Sequence, residues 1–454
     1  MTPAEVTVVI PARDRPAALS RCLRSVGPAA AVLVVDDASE RPEAVAEVVA
    51  TAGAQLYRRE RNGGPAAARN SGLARSCTPF VAFVDSDCIP EPGWLARLLP
   101  HFEDPTVAAV APRVIGLDAP GWLGRYEQAR SALDLGARGG PVRPRSRISY
   151  VPAAALVARR SALAGLRGDA GFCPDFRVGE DVDLIWRLHR AGWQVRYEPA
   201  ARVRHEHRVT LRAWAGRKFA YGTSAGPLAR RHPGQVPPAV ISVVALVPLA
   251  LLRGGRPTAA LAAGTLSAAG LSRRLPTFPG RSLEATRLMA AGCLTTGYGL
   301  ATAATRVWLP LTVAGTSRYP AARRTLLLGA LVGPALSWWT LRPWLDPLRW
   351  VLAYLIDDAC YCAGVWVGAV RFRTAGPLLP AVPELARWGF RRRVVRRATA
   401  QSHSGRSGSG DSPSATEAEE INTGGSGNTD LHGQAAEVVE AAEEGPTGPT
   451  LGGG

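Results

Sequence analysis

The 454-residue chain carries 54 basic and 37 acidic residues, for a net charge of +17, and 46% of its residues are hydrophobic. This apolar content excludes a wholly disordered chain and allows a sizeable core. The 7 cysteines are scattered and form no C-x-x-C pair, which argues against zinc ribbons and disulfide scaffolds. Nearly all the basic residues are arginine, and no basic motif has interleaved aromatic residues, so we expect no nucleic-acid partner.

Apolar runs and helical patterns alternate at the start of the chain. Short β-branched runs predict buried strands at residues 6–10, 31–35 and 80–84. Helical patterns lie between them, over residues 17–26, 42–52 and 66–76. This alternation predicts an α/β domain with a mostly parallel, Rossmann-like sheet. In such sheets ligands bind at the carboxyl ends of the strands, which is where this chain carries its polar residues.

The rest of the first predicted domain, residues 1–235, gives weaker patterns. A helical face is predicted over residues 181–191, where apolar residues recur at helical spacing. Further strands are predicted at residues 107–111, 147–151, 154–158 and 193–197.

The composition changes twice beyond this domain. Residues 236–397 contain apolar runs separated by arginines, which predicts a helical region associated with a membrane; the runs cover residues 239–252, 258–271, 288–305, 325–341 and 350–370. Three of the five reach the 17–25 residues of a membrane span, so integral spans, interfacial helices and a soluble helical domain all stay open. Residues 398–454 are rich in Gly, Ser, Thr and Glu, which predicts a disordered acidic tail.

The strongest local motif follows the third apolar run. Asp85, Ser86 and Asp87 stand at the predicted end of a buried strand. Two carboxylates one residue apart can share Mg²⁺ or Mn²⁺, which prefer oxygen ligands and a substrate diphosphate. The same residues could instead hydrogen-bond a ribose or cap a turn. Asp37 follows the second strand in the same way, so we expect a nucleotide at this edge, with Asp37 accepting a hydrogen bond from a base N–H or else capping the next turn.

A second acidic motif opens the helix predicted at residues 181–191. Glu180, Asp181 and Asp183 fit the positive end of the helix dipole, which explains one or two of them. One carboxylate could instead take a proton from a substrate hydroxyl as a general base.

Basic groups complete the set of candidates. Arg69 follows a predicted Gly-Gly turn and could reach a phosphate or a nucleotide-binding carboxylate, or form a surface salt bridge. His205 and His207 supply imidazoles near the end of the domain, and one of them could join the acidic metal site.

These motifs together resemble the family 2 glycosyltransferases of GT-A fold. The resemblance covers about residues 5–222 and rests on five segments in the family's order: residues 6–16, 35–39, 62–70, 84–87 and 179–184. It implies transfer of a sugar from a nucleotide-diphosphate donor. The resemblance makes Asp181 the catalytic base and places the metal on Asp87, with help from His205. It assigns the substrate-binding positions to Pro11, Ala12, Arg13, Asp37 and Asp85, and we add Arg69, Ser86 and Glu180 to them.

A closer resemblance is to the family members that serve the mycofactocin system of actinobacteria. It rests on residues 85–94, 150–156, 177–183 and 221–233. What it implies is an inverting enzyme that moves glucose from UDP-glucose to a small, peptide-derived redox cofactor, with Mg²⁺ or Mn²⁺ bound. Together with the apolar region, it leads us to expect a protein at the cell membrane, with its catalytic domain facing the cytoplasm.

Two other functions remain as alternatives. A membrane glycosyltransferase would keep the same fold and act on a lipid or a cell-envelope glycan. A non-catalytic module would bind nucleotide sugars without transferring them, although all the carboxylates expected of an enzyme are present. A dinucleotide-dependent dehydrogenase fits poorly, because no G-x-G-x-x-G follows the first strand.

Overall fold

The computed structural model of the protein describes residues 1–29, 31–166, 168–316 and 318–383. Within them, nine strands form one sheet in the order β3-β2-β1-β4-β8-β6-β9-β5, with β7 paired to β9. The strands are β1 (Val6–Ala12), β2 (Ala31–Asp36), β3 (Gln55–Arg58), β4 (Phe80–Val84), β5 (Cys88–Pro90), β6 (Val107–Gly116), β7 (Gly140–Pro141), β8 (Ala155–Arg159) and β9 (Gln194–His205).

Helices connect these strands, and beyond β9 the described part of the chain contains helices and no further named strand. The helices of the strand-containing part are α1 (Pro16–Ser25), α2 (Pro42–Thr51), α3 (Gly64–Arg75), α4 (Trp94–Leu98), α5 (Gly121–Ala129), α6 (Arg160–Ala164), α7 (Glu180–Arg190), α8 (Leu211–Thr223) and α9 (Ala225–Arg231). The later helices are α10 (Val243–Arg253), α11 (Pro257–Ser272), α12 (Arg281–Arg306), α13 (Leu309–Thr316), α14 (Pro320–Leu341) and α15 (Pro347–Arg371).

The sheet confirms the Rossmann-like α/β prediction in its first half. β1 pairs in parallel with β2 and with β4, and β2 pairs in parallel with β3. Beyond β4 the sheet is mixed, because β8 runs antiparallel to both of its neighbours, β4 and β6. Since β2, β1 and β4 are adjacent and parallel, their carboxyl ends meet at one edge of the sheet.

Both faces of the sheet are covered, which explains the continuous apolar character of its central strands. Val9, Val81 and Phe83 belong to the hydrophobic cluster on one face. Their neighbours along the chain, Val8 and Ala82, belong to the cluster on the other face. Alternating residues of a strand point to opposite faces, so a strand covered on both sides is apolar throughout.

The structure differs from the sequence predictions in several strands. The strands β3, β5 and β7 are not among the predicted ones; β3 has four mostly exposed residues and carries no apolar run. Residues 147–151 form no strand; the carbonyl of Ile148 instead accepts a hydrogen bond from the Arg143 N–H across a turn. The short strand predicted at residues 193–197 continues to His205, through an irregularity at residues 199–201, which have no partner on β6.

The described chain divides into two compact units. The first consists of Met1–Val236 and Ala304–Leu378, and the second consists of Pro237–Ala303 with residues 379–383. Part of the apolar region therefore belongs to the first unit. The three domains drawn from composition, 1–235, 236–397 and 398–454, remain a prediction, and the predicted disordered tail at 398–454 lies outside the described residues.

Helix α15 is part of the first unit. It packs against α8 so closely that the two backbones touch: a Cβ on Gly222 would clash with the carbonyl oxygen of Tyr361, and one on Gly364 with that of Phe219. Of the helices in the described ranges, α15 alone is long and apolar enough to cross a membrane by length and composition. It also carries the buried Asp357 and Asp358, whose charges are paired inside the unit by Lys218 and Arg306.

Candidate functional site

The carboxyl ends of β1, β2 and β4 bring the predicted donor-binding residues to one edge of the sheet. β1 ends with Pro11 and Ala12, and the Ala12 carbonyl accepts a hydrogen bond of 2.9 Å from the N–H of Asp37, just after β2. Asp85 follows β4 directly, and its N–H donates to the carbonyl of Ala154. The register of adjacent parallel strands therefore gathers residues that are far apart in the sequence.

Asp37 is held by the turn that precedes α3. Its carboxylate accepts hydrogen bonds from the N–H groups of Gly63, at 3.0 Å, and Gly64, at 2.7 Å, and it also pairs with Arg59. A carboxylate has about four acceptor positions, so one remains for a ligand N–H. Gly64 has a φ of 83°, which favours glycine at this position. The Gly-Gly turn thus fixes the orientation of Asp37.

Arg69 connects two parts of the site: the edge of the sheet at the carboxyl ends of β1, β2 and β4, here called the donor edge, and the start of α7. Its side chain is only 3% exposed and contacts Asp85 Oδ1 at 2.6 Å and Glu180 Oε1 at 2.7 Å. Burial tends to lower the pKa of Arg69, but the charges of Asp85 and Glu180 raise it above its ordinary value. The guanidinium is therefore a fixed cation that orients one carboxylate on each side of the site. The surface salt bridge considered for Arg69 is not what the structure shows.

Asp87 lies between an imidazole and a guanidinium. Its Oδ1 is 3.6 Å from Nε2 of His205, which β9 and β5 bring next to it. Its Oδ2 accepts a hydrogen bond of 2.7 Å from Arg15, and Arg15 also contacts Glu206 at 3.1 Å. Arg15 follows β1, and neither it nor Glu206 was predicted as a site residue. In the sequence, the only indication that either residue belongs to the site is that it lies close to a predicted site residue.

The donor atoms around Asp87 fit a partly protein-bound divalent metal. Carboxylate oxygen and neutral imidazole nitrogen are ligands that Mn²⁺ accepts, and Mg²⁺ takes the oxygen readily. Nδ1 of His205 is buried and has no hydrogen-bond partner within the described chain, while the ring packs against that of His207. The described residues contain no group of three or more His, Cys, Asp or Glu side chains that could hold a metal ion. Asp87 and His205 would therefore share the metal with the donor diphosphate.

Asp181, at the start of α7, has a carboxyl group whose pKa is raised towards neutral pH. Burial, and then the charge of Glu180, raise the pKa of its carboxyl group to about 7. Its Oδ1 accepts a hydrogen bond from the Val182 N–H at 2.8 Å, and its Oδ2 accepts one from the Ala153 N–H at 3.3 Å. The residue is only half-buried, so a hydroxyl can reach it. A carboxylate with a pKa near the working pH is ionised in a large fraction of the molecules and is still basic enough to accept a proton.

Asp183, the third acid of the same motif, has a structural role. It is fully buried and accepts hydrogen bonds from Arg187, at 2.8 Å, and His232, at 2.8 Å. Burial raises the pKa of Asp183, but His232 and Arg187 outweigh it and hold the pKa below its ordinary value. With its oxygens bound in this way, Asp183 holds α7 against α9 and does not face a substrate.

A buried polar network lies behind the histidines. His207 Nδ1 is 3.8 Å from Glu127, and Glu127 contacts Lys218, the only lysine of the chain, at 2.7 Å. Lys218 continues to Asp357 on α15 at 3.1 Å. Burial, then the charge of His205, lower the pKa of His207 to about 4, so this imidazole is neutral at physiological pH. The pairing of Glu127, Lys218 and Asp357 could not be predicted from the sequence, because it joins segments that are far apart in the chain.

The two remaining predicted residues lie at the rim. The Arg13 side chain is half-exposed and contacts Asp14 at 3.1 Å. Ser86 lies half-buried between the two aspartates of its motif. The structure therefore gathers the ends of the three strands and the start of α7 through specific contacts, and it leaves Arg13 as the least constrained of the predicted set.

The sequence has several relatives among proteins of known family. Residues 7–164 match the family described as glycosyl transferase family 2. A pre-mycofactocin glycosyltransferase of Mycobacterium tuberculosis is 41% identical over 390 residues, which cover 83% of this chain and 82% of the relative. The succinoglycan biosynthesis protein ExoM of Rhizobium meliloti is 33% identical over 36% of this chain and 52% of that protein.

Solved structures resemble the chain only distantly. A mannosyltransferase from Pyrobaculum calidifontis, solved in complex with GDP-Man and Mn²⁺, is 18% identical, with a TM-score of 0.43 over 80% of this chain and 86% of that one. The sequence relationship is the stronger finding, since it extends well beyond the domain that the family defines. On that ground the chain belongs to glycosyl transferase family 2, has its GT-A fold and is a glycosyltransferase.

Proposed function

We propose that the enzyme transfers glucose from UDP-glucose, with inversion, to a hydroxyl of pre-mycofactocin. The observation that carries the proposal is the Arg69 bridge, which holds Asp85 at the donor edge and Glu180, the neighbour of Asp181, within one site. The choice of acceptor is supported by the 41% identical pre-mycofactocin glycosyltransferase of Mycobacterium tuberculosis. Glucose as the sugar and UDP as its carrier follow from the closer resemblance in sequence.

In this mechanism Asp181 removes the proton of the acceptor hydroxyl as its oxygen attacks the anomeric carbon. A bond forms between that oxygen and the carbon, the bond from the carbon to the diphosphate breaks, and UDP leaves with the electron pair. Bound Mg²⁺ or Mn²⁺ would neutralise the charge that develops on the diphosphate. Asp87 and His205 would hold this ion, Asp37 would accept from the base, and the ends of β1 and β4 would position the nucleotide.

We expect the acceptor to enter near Tyr221, whose hydroxyl lies within the influence of the Asp181 charge. Burial is the main cause that raises the pKa of Tyr221, to about 12, and the negative charge of Asp181 adds to it. Burial and Asp181 likewise raise the pKa of Tyr150, but its hydroxyl already donates to the Ala132 carbonyl. Tyr221 therefore stays protonated at neutral pH and could donate a hydrogen bond to an acceptor oxygen near the base.

Mass spectrometry of a defined reaction tests this function. The full chain is incubated with Mn²⁺, UDP-glucose and pre-mycofactocin, and a parallel reaction contains GDP-mannose in place of UDP-glucose. The proposal requires pre-mycofactocin to gain hexose mass with UDP-glucose. Donor hydrolysis without any gain of mass on the acceptor would show a glycosyltransferase with another acceptor.

A membrane glycosyltransferase that acts on a lipid or a cell-envelope glycan is the second candidate. It is favoured by the outward-facing leucines of the second unit, such as Leu261 and Leu266. Radiolabelled sugar that partitions into organic solvent would support it over the soluble acceptor. For either acceptor we place the enzyme at the cytoplasmic face of the cell membrane, because nucleotide sugars are cytoplasmic metabolites.

A further inference from the structure

The second unit has its small residues inside and its large apolar residues outside. Its buried positions include six alanines, at 239, 245, 260, 268, 285 and 303, while Ile241 and Met289 are larger exceptions. By contrast, Leu261 is 70% exposed and Leu266 is 75% exposed. Water-soluble units place large aliphatic side chains in the core. Helices packed through small residues, with leucine outward, are instead typical of protein within lipid.

Other helices of the unit also carry exposed apolar residues. Val247 and Leu252 on α10, and Leu283 and Leu294 on α12, are each more than half exposed. Large apolar side chains exposed on several helices of one unit indicate a site of interaction with a membrane or a protein.

Two helices of this surface, α10 and α11, are too short to cross a bilayer, and the 26-residue α12 is not apolar enough to qualify as a span. α10 has 11 residues and α11 has 16, so at about 1.5 Å per residue they are about 16 and 24 Å long. The hydrocarbon core of a bilayer is about 30 Å thick. Length alone therefore excludes upright insertion of either helix across both leaflets.

The distribution of charge in the unit indicates that both ends of α11 would lie at the same depth in a membrane. Pro237–Ala303 contains six arginines and one acidic residue, Glu284. Arg256 precedes α11 and Arg273 follows it. An arginine in the hydrocarbon is costly, whereas one at the headgroups is favoured by anionic lipid. When α11 lies parallel to the surface, the arginine at each end reaches the headgroups of one leaflet and the leucines between them reach the hydrocarbon.

We propose that α10 and α11 lie in one leaflet of an anionic membrane, parallel to its surface, and anchor the enzyme without crossing the bilayer. The exposed leucines enter the acyl region, and the arginines at the helix ends bind lipid phosphates. This mode of membrane binding does not depend on which donor and acceptor the enzyme uses.

Vesicle flotation of the full chain tests the lipid surface. The protein should float with vesicles of phosphatidylglycerol and phosphatidylcholine, and less well with phosphatidylcholine alone or in high salt. Leu261→Asp combined with Leu266→Asp should lower the affinity for the anionic vesicles by about a hundredfold or more. The matched control, Leu56→Asp with Leu211→Asp, replaces two exposed leucines of the first unit and should float like the wild type. Circular dichroism verifies that both variants are folded.

Two results of this experiment would overturn the proposal. One is a wild-type chain that remains unbound with both vesicle types. The other is flotation that the Leu261 and Leu266 changes leave intact. If those changes instead dissociate an oligomer in light scattering while flotation persists, the surface binds a second copy of the chain.

Labelling from one side of the membrane tests the orientation. Arg256→Cys and Arg273→Cys are prepared separately, and each full chain is bound to sealed anionic vesicles. A membrane-impermeant maleimide is added outside the vesicles. Peptide mass spectrometry then measures the label at the new cysteine separately from any label at the native cysteines. The proposal expects label at both positions. Label at only one of them would show that α11 crosses the bilayer.

Discussion

At Asp181, burial and the charge of Glu180 raise the carboxyl pKa to about 7, so protonation there should control the reaction rate around neutral pH. Only the ionised carboxylate can accept the proton of the acceptor hydroxyl. The rate of transfer should therefore rise about tenfold per pH unit below pH 7 and level off above it. This dependence follows from one raised pKa and does not require a second titrating group.

Replacing Glu180 tests the cause of that raised pKa. Glu180→Gln removes the neighbouring negative charge, so the pKa of Asp181 should fall and the acid limb of the rate profile should move to lower pH. The measurement is the single-turnover rate of transfer between pH 5 and pH 9. Because Glu180 also binds Arg69, the donor affinity of the variant is measured in parallel. An acid limb that stays in place would show that Glu180 does not set the pKa.

Arg15 competes for the carboxylate that is proposed to bind metal. It donates to Asp87 Oδ2 at 2.7 Å, in a pair that is partly exposed to solvent. Arg15→Gln should therefore tighten Mn²⁺ binding to the nucleotide-free enzyme by about two- to fivefold, the range expected for an exposed ion pair. Arg21→Gln is the control, because Arg21 pairs with Glu206 and not with Asp87. Equal Mn²⁺ affinities of wild type and Arg15→Gln in an electron paramagnetic resonance titration would contradict this role.

At the level of elements, strands with one apolar run could be predicted and irregular ones could not. β1, β2 and β4 are buried on both faces, so hydrophobicity alone reveals them. β9 has charged residues at alternate positions and an irregularity in its pairing, so only its first residues gave a signal. The site follows the same rule. The position of residues at strand ends could be predicted, whereas the contact of Arg15 with Asp87 depends on the tertiary structure.

The contact between α8 and α15 gives a stability prediction. A Cβ on Gly222 would meet the Tyr361 carbonyl, whose helix cannot move without disturbing the pairs of Asp357 and Asp358. Gly222→Ala should therefore destabilise the protein by about 1–3 kcal/mol. Gly216→Ala, on the same helix with nothing within 4 Å, should stabilise it by about 0.5–1 kcal/mol. Denaturant unfolding followed by circular dichroism compares the two, and equal effects would mean that the helices do not pack this closely.

On the scale of the whole molecule, composition shows where the apolar region begins, but it does not show how the helices of that region are divided between the two units. Hydropathy treats α15 as one more apolar run, although the helix completes the first unit with buried, paired aspartates. Sequence patterns report how apolar a helix is, and they do not report which partner covers it. For the same reason, the sequence could not predict the contacts of Glu127 with His207 and with Lys218.

We propose that donor binding and proton removal use different carboxylates, Asp87 and Asp181. The measurement that decides this is the rate of sugar transfer by Asp181→Asn, with donor affinity determined by calorimetry in the presence of Mn²⁺. The rate should be lower by about 10²- to 10⁴-fold, with nearly unchanged donor affinity because the proton moves only in the transition state. Asp87→Asn should instead weaken metal-dependent donor binding. A rate for Asp181→Asn above about a tenth of the wild-type rate would show that Asp181 is not the base.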